Sequence, residues 1–219
     1  MIEQPALAHG QTLLSTLRHG LTELNRSKRT GGRLDVPLVE VGRQQAQDAR
    51  AVFEGTPVDV VIASSLRRAI ETAEIVTGWP RARLVIDDLA IERSFGEMEG
   101  LTQDEIREKF PMVIYVPIEH VRYSLNPPGG ESFETLRARA RTFLTRTLAA
   151  HRGKRVLVST HQNFMQQLHG ELRGIDPYAA LRTDIVNLEL NQFHLDADGR
   201  LISHRVVRLC PDASKYPSF

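Results

Sequence analysis

Cysteine is nearly absent from this chain. Its 219 residues include one, Cys210, so no internal disulfide can form, and a reducing compartment fits. Set in "RLCPD", that thiol reads as inert rather than nucleophilic. Long apolar runs are missing too: no stretch approaches the roughly 18 residues that a membrane span needs. Nor is there an excess of one charge. The 28 Lys and Arg against 27 Asp and Glu leave a formal charge of +1. The basic residues are scattered, so neither nucleic acid nor an acidic membrane is expected as a partner. Repeats and low-complexity linkers do not occur. The opening "MIEQPALAHGQ" carries Glu where a secretory signal would be basic, and reads as a short leader into a strand. The expectation is a soluble, cytoplasmic protein.

What is present is the pattern of an α/β fold. Apolar, β-rich runs alternate with helical ones, as in largely parallel sheets. Strands are predicted at 12–17, 58–64, 83–87, 154–160, 185–195 and 200–209, and helices at about 40–54, 65–77, 102–109, 132–151 and 162–173. The run "VLVS" is apolar on both faces, as suits a central parallel strand. The last two strands flank "DADGR", whose Asp-Gly favours a hairpin turn and an antiparallel edge. The expected architecture has three layers: a mostly parallel sheet of about six strands, with helices on both faces. The proline- and glycine-containing stretch at 110–131 reads as a lid rather than a second domain, so residues 1–219 form a single domain with an insert at about 101–131.

The chemistry-bearing residues fall where predicted strands end. "RHG" follows the first strand, "SSLRRAIET" the second, "ERSFGEMEG" the third and "THQN" the fourth. In open α/β sheets, ligands bind beyond the carboxyl ends of the strands, so four segments converge on one edge. They pool two Arg, two His and a Glu. Arginine presents a planar fork of donors suited to phosphate oxygens. A neutral imidazole can attack phosphorus, and a Glu beside a bound phosphate can carry a proton to the leaving oxygen. No clustered metal-ligand spacing and no "GxxxxGK" nucleotide loop occur. No metal or cofactor is expected.

Taken in order, "LRHG" with Thr22 and Asn25, "GGRLDVPLVEVGRQQA", "SSLRRAIETA", "ERSFGEMEGLT", "PPGGESFETL" and "VSTHQN" resemble the histidine phosphatase superfamily, the phosphoglycerate mutase-like fold. The resemblance spans roughly residues 12–170. It implies that His19 is the nucleophile and forms a phosphohistidine. Arg18 and Arg68 would bind phosphoryl oxygens, with Asn25 and Thr22 contributing from the loop. His161 would donate to the phosphate, and Glu92 would protonate the leaving oxygen and then activate water. Gly31, Gly32 and Arg29 sit where relatives approach the substrate, and Glu131 and Ser132 where they border the pocket. Three positions depart from the family pattern: Leu21, where an acid or Gln is usual, Met98 for Trp, and Gln162 for Gly. Gln162 either narrows the pocket or offers an amide to the substrate.

Alone, each of these residues has an ordinary structural reading. His9, His120, His151, His169, His194 and His204 are expected to be surface or core histidines, and Arg67 a surface cation. Glu97 and Glu99 share a loop with Glu92, and only the resemblance chooses among the three. Mutases of this family carry a longer, basic insert after the Glu motif. Here residues 101–130 hold only Arg107, Lys109 and Arg122 as basic residues, amid Met112, Val113, Ile114, Tyr115, Val116 and Tyr123. The expected activity is therefore metal-independent hydrolysis of a small-molecule phosphate monoester. The aliphatic and aromatic insert fits an apolar leaving group, or simply packs the lid. Two alternatives stand beside this reading: mutase-type phosphoryl transfer, and a weakened, phospho-ligand-binding regulatory protein. The exposed face of the terminal hairpin offers a surface for homodimer formation.

Overall fold

A computed structural model describes residues 1–118 and 121–210; His120 lies outside the described residues. The elements run in the order β1 (Thr12–Arg18), α1 (Glu23–Arg26), α2 (Glu40–Phe53), β2 (Val60–Ala63), α3 (Arg67–Thr77), β3 (Val85–Ile86), α4 (Gln103–Lys109), β4 (Tyr115–Ile118), β5 (Val121–Ser124), α5 (Phe133–His151), β6 (Arg155–Thr160), α6 (Gln162–Arg173), β7 (Glu189–Leu195) and β8 (Leu201–Arg208). Six strands form one sheet in the order β3-β2-β6-β1-β7-β8, while β4 and β5 pair separately. Strands β3, β2, β6 and β1 are mutually parallel. β7 and β8 join antiparallel. This is the expected α/β sheet with its antiparallel edge hairpin.

The sheet is buried on both faces, which is why its central strands read as unbroken apolar runs. One core packs Leu17, Val61, Leu157 and Leu190 against Ala46 and Phe53 of α2 and Ile70 and Ala73 of α3. The other packs Leu14, Val156, Val158 and Phe193 against Phe143 of α5 and Phe164 and Leu168 of α6. Helix ends match their sequence signals. Ser132 accepts from the Thr135 amide at the start of α5, and Gly174 closes α6 in the left-handed region at φ 66°.

Three expectations need correction. The strand predicted at 83–87 shrinks to Val85–Ile86, both exposed on an edge that pairs only with β2. The strand predicted at 185–195 begins only at Glu189. Leu188 adopts φ 58°, a conformation costly for a branched side chain, and residues 184–187 turn back towards the end of β1. The 110–131 stretch is more ordered than a loop, because Tyr115–Ile118 pairs antiparallel with Val121–Ser124.

Candidate active site

Strand register brings the two histidines together. β1 and β6 are parallel neighbours, with Arg18 opposite Thr160. The next residue in each strand is a histidine. The His19 amide donates to the Thr160 carbonyl at 3.1 Å, and the two imidazole centroids lie 5.1 Å apart. Arg68 comes from the first turn of α3, after β2, which pairs with β6 on its other side.

Beneath this turn Gly42 of α2 meets the loop backbone. A Cβ there would sit 2.2 Å from the Leu21 carbonyl oxygen. Only glycine lets the helix approach this closely, which accounts for the "VGRQQA" signal. Leu21 is buried and donates its amide to Gln45 Oε1 at 3.3 Å. The departure from the family pattern there is a packing residue.

The His19 Nδ1–H donates to the Gly20 carbonyl at 2.7 Å. That bond selects the tautomer whose Nε2 carries the free lone pair. Burial holds the ring well below the ordinary histidine pKa, and the nearby charges of Arg68 and Arg18 push it the same way. His19 is therefore neutral at neutral pH. His161 is fully buried behind it. Its Nδ1 accepts from Arg68 Nε–H at 3.2 Å, and its Nε2 lies 2.8 Å from Ser64 Oγ. Burial, Arg68 and His19 depress its pKa as well.

Arg68 spends one hydrogen of each terminal nitrogen on backbone, at 2.7 Å to the Leu34 carbonyl and 2.7 Å to that of Gly32. One hydrogen on each remains for a ligand. Burial lowers its pKa to about 10, with Glu92 opposing, so it stays charged at neutral pH. Arg18 donates to the Ile185 carbonyl at 2.5 Å, and its Nε is buried without a partner. Buried donors left unpaired are costly, and an anion placed between the two arginines would relieve that cost.

Glu92 does not stand above its own strand. The chain after β3 crosses back over the sheet, held by Thr160 Oγ1 donating to the Ala90 carbonyl at 2.5 Å. The Glu92 carboxylate then meets the first amides of α6. Oε1 accepts from Arg93 N at 2.8 Å and Phe164 N at 3.2 Å, and Oε2 from Asn163 N at 3.3 Å. Glu97 is exposed. Glu99 Oε1 accepts the Phe95 amide at 2.9 Å. Of the three, Glu92 is the one on the wall of the central cavity.

A cavity of about 210 Å³ collects Arg18, His19, Thr22, Asn25, Gly31, Gly32, Arg68, Glu92 and Gln162 on its walls. Of the sequence-nominated residues, His161, Arg29, Glu131 and Ser132 do not line it; His161 lies against His19, 5.1 Å away between ring centroids. Thr22 and Asn25 cap each other, with the Thr22 hydroxyl donating to Asn25 Oδ1 at 2.8 Å. This bond leaves the Asn25 amide nitrogen for the cavity. Arg29 lies further out, bonded to the Gly100 carbonyl and Glu105. Of the six insert residues named above, Tyr115 and Tyr123 line the cavity. Met112 and Ile114 face solvent, and Val116 packs on the core.

Three participants are not singled out by the sequence pattern. Asn187 donates to the His19 carbonyl at 2.6 Å, and with the Ile185 carbonyl on Arg18 it accounts for the turn at Leu188. Ser64 backs His161. Glu131 and Arg139 form a buried pair beside the Glu92 loop; the position of Glu131 was legible, its partner was not. Among the described residues, no three His, Cys, Asp or Glu side chains gather in a way that could hold a metal ion. Nor is any helix among them long and apolar enough to cross a membrane.

Comparison with known proteins follows the same geometry. A family model, "Histidine phosphatase superfamily (branch 1)", matches residues 14–207. The chain is 35% identical over 182 residues to phosphoglycerate mutase-like protein 4 of Arabidopsis thaliana, covering 82% of this chain and 77% of that one. It is 30% identical over 202 residues to a 2,3-bisphosphoglycerate-dependent phosphoglycerate mutase of Azorhizobium caulinodans, covering 89% and 98%. A solved mycobacterial glucosyl-3-phosphoglycerate phosphatase has a TM-score of 0.72 at 26% identity, over 89% of this chain and 96% of that one. With its paired histidines set at the ends of adjacent parallel strands and its family model spanning most of the sequence, the chain belongs to the histidine phosphatase superfamily.

Proposed function

We propose that the protein hydrolyses phosphate monoesters through a phosphohistidine on His19, without a metal. The observation that carries this reading is the His19 ring itself. Its Nδ1–H is committed to Gly20, so Nε2 keeps its lone pair in a cavity flanked by Arg18 and Arg68. In the first step Nε2 attacks phosphorus, the P–N bond forms and the P–O ester bond breaks. Glu92 gives its proton to the departing oxygen. Arg18 and Arg68 hold the charge on the transferring group, where positioning and electrostatics do most of the work; His161, expected from the sequence to donate to the phosphate, instead accepts from Arg68 Nε–H and steadies that arginine, because both its ring nitrogens are engaged. In the second step the Glu92 carboxylate takes a proton from water, whose oxygen attacks phosphorus. The P–N bond breaks, and inorganic phosphate and free His19 are restored.

The insert supports hydrolysis over mutase transfer. Of its basic residues Arg122 alone lines the catalytic cavity; Arg107, paired with Asp104 at 2.9 Å, stands further out on the adjoining groove. The leaving-group side is walled by Phe95, Met98, Tyr115 and Tyr123. Past Arg18, Asn25 and Gln162 it continues into a groove of about 650 Å³. This space suits an alcohol larger than a three-carbon acid, with an apolar part near the phosphate. A mutase reading is favoured by the likeness to the Azorhizobium caulinodans protein.

The test is phosphate release from 4-nitrophenyl phosphate in the presence of EDTA, by wild type and His19→Ala. Turnover that survives chelation and disappears in the variant supports the reading, as does acid-labile, base-stable label trapped on His19. Interconversion of 2- and 3-phosphoglycerate faster than phosphate release from any monoester would establish the mutase instead. Binding of a phosphorylated ligand with no label on His19 would mark a regulatory protein.

A further inference from the structure

The Glu92 carboxylate is held by three backbone amides and, among the described residues, by no side-chain hydrogen bond. Where it points therefore depends on where its own backbone is set. That backbone is set from α5. Arg139, in the second turn, uses all five of its N–H donors. Nε–H donates to Glu131 Oε1 at 2.9 Å, and one terminal nitrogen to the carbonyls of Leu89 at 2.8 Å and Ile91 at 2.6 Å. The other donates to the Glu92 carbonyl at 3.2 Å and to Glu131 Oε2 at 2.8 Å.

Glu131 completes the frame. It is 8% exposed. Its Oε2 also takes Arg33 NH2 and the Ser94 amide, each at 3.4 Å, and its carbonyl takes Arg93 Nε–H at 2.7 Å. Arg33 adds a bond from Nε to the Glu92 carbonyl at 3.3 Å. Neither Glu131 nor Arg139 lines the catalytic cavity. The phosphate-binding residues hang from β1, α3 and the loop at 31–34, and of these the pair meets only Arg33 of the loop, which does not line the cavity.

We propose that Glu131 and Arg139 are positioning residues that aim the Glu92 proton donor, separately from the groups that hold the phosphate. The inference rests on Glu92 being that donor. A planar fork with five fixed donors can template three carbonyls of one loop and a carboxylate. A lysine ammonium, with three donors on one point, cannot. The pair is buried, so removing one partner strands a charge and strains the loop.

General acid assistance matters most when the leaving group is a poor one, and this makes the proposal testable. Wild type, Arg139→Lys, Glu131→Gln and Glu92→Gln are assayed on 2,4-dinitrophenyl, 4-nitrophenyl, phenyl and phenethyl phosphates. Arg139→Lys is expected to lose about 10²-fold in kcat/KM, which reads only the step in which the leaving group departs, on the phenethyl ester, and no more than about three-fold on the dinitrophenyl ester. Glu131→Gln should show the same tilt, more weakly. Equal loss across the series, or no loss, overturns the proposal. Should the buried variants not fold, Arg33→Gln decides, because its side chain is 41% exposed. It should tilt the series slightly, and a level response overturns the idea. If Glu92→Gln itself gives no tilt, it is the assignment of Glu92 that fails; if Glu92→Gln tilts and Arg139→Lys does not, it is the clamp.

Discussion

Two histidine pairs are built into this fold, the second with His204 only half-buried, and one of them alone has the means to do chemistry. His19 and His161 lie 5.1 Å apart between centroids, and His169 and His204 lie 6.3 Å apart. Burial depresses all four pKa values, and each pair has arginine beside it. The second pair is closed off. His169 Nε2 meets Thr16 Oγ1 at 2.8 Å, and His204 stacks on Phe193, with its Nε2 on Asn191 and Nδ1 on Arg173. The first pair has spare donors and an opening: Arg68 keeps two free hydrogens, Arg18 Nε is unpartnered, and a cavity reaches His19. Burial and pairing alone do not make a site. His169 Nδ1 is also buried without a partner, so access, and arginine donors facing it, make the difference.

The comparison breaks most sharply at the nucleophile. His19→Ala should lower phosphate release by at least about 10⁴-fold, as removal of a nucleophile does elsewhere, with unchanged folding by circular dichroism. Arg68→Gln follows, at about 10³-fold in kcat/KM, because it strips both the oxygen contact and the bond that orients His161. Asn187→Ala, which frees the His19 carbonyl, should cost about 10-fold with a little-changed Tm, an effect near 1.4 kcal/mol. His169→Leu reverses the pattern. Activity should stay within about two-fold, while stability falls by about 1–3 kcal/mol, since Thr16 loses its partner in the core. If that variant lost activity like His19→Ala, the division between the pairs would be wrong.

Acidity sharpens the contrast without mutation. In the folded state all four rings bind protons less readily than an ordinary histidine, so the unfolded chain takes up more protons once pH falls below about 6.5. Their contribution to stability is complete above that value. It is lost as pH descends towards the folded pKa values, about 4 for His204. Thermal melts should show Tm falling below pH 6.5, with a shallower fall in His204→Gln. Nitrogen-15 spectra should keep His19 in its Nδ1–H form at pH 6.5. A ring already half-protonated there would contradict the electrostatics of the site.

Much of this was legible in the residues. "LRHG" and "STHQN" each end an apolar run that is a central strand, and a histidine just past a parallel strand points to the ligand edge. The helices were legible because their apolar stripes repeat on one face, and their caps stand where the pattern begins. The turn at 184–188 was not. "DIVNLEL" looks like the start of a strand, and nothing local says that the Ile185 carbonyl and Asn187 are needed by Arg18 and His19. The hairpin at 115–124 was hidden by its proline.

The sequence by itself determined the alternation of strands and helices, the polarity of each face, and the residue types that gather at the strand ends. These follow from side-chain period and backbone propensity, which are local. Tertiary structure decided the rest. The parallel register of β1 and β6 set one histidine behind the other. The crossing after β3 put Glu92 on the first amides of α6, a place its own strand does not reach. The fork of Arg139, 47 residues further along the chain, holds it there. Such contacts depend on distances between elements far apart in sequence, and only packing around the two cores fixes those distances.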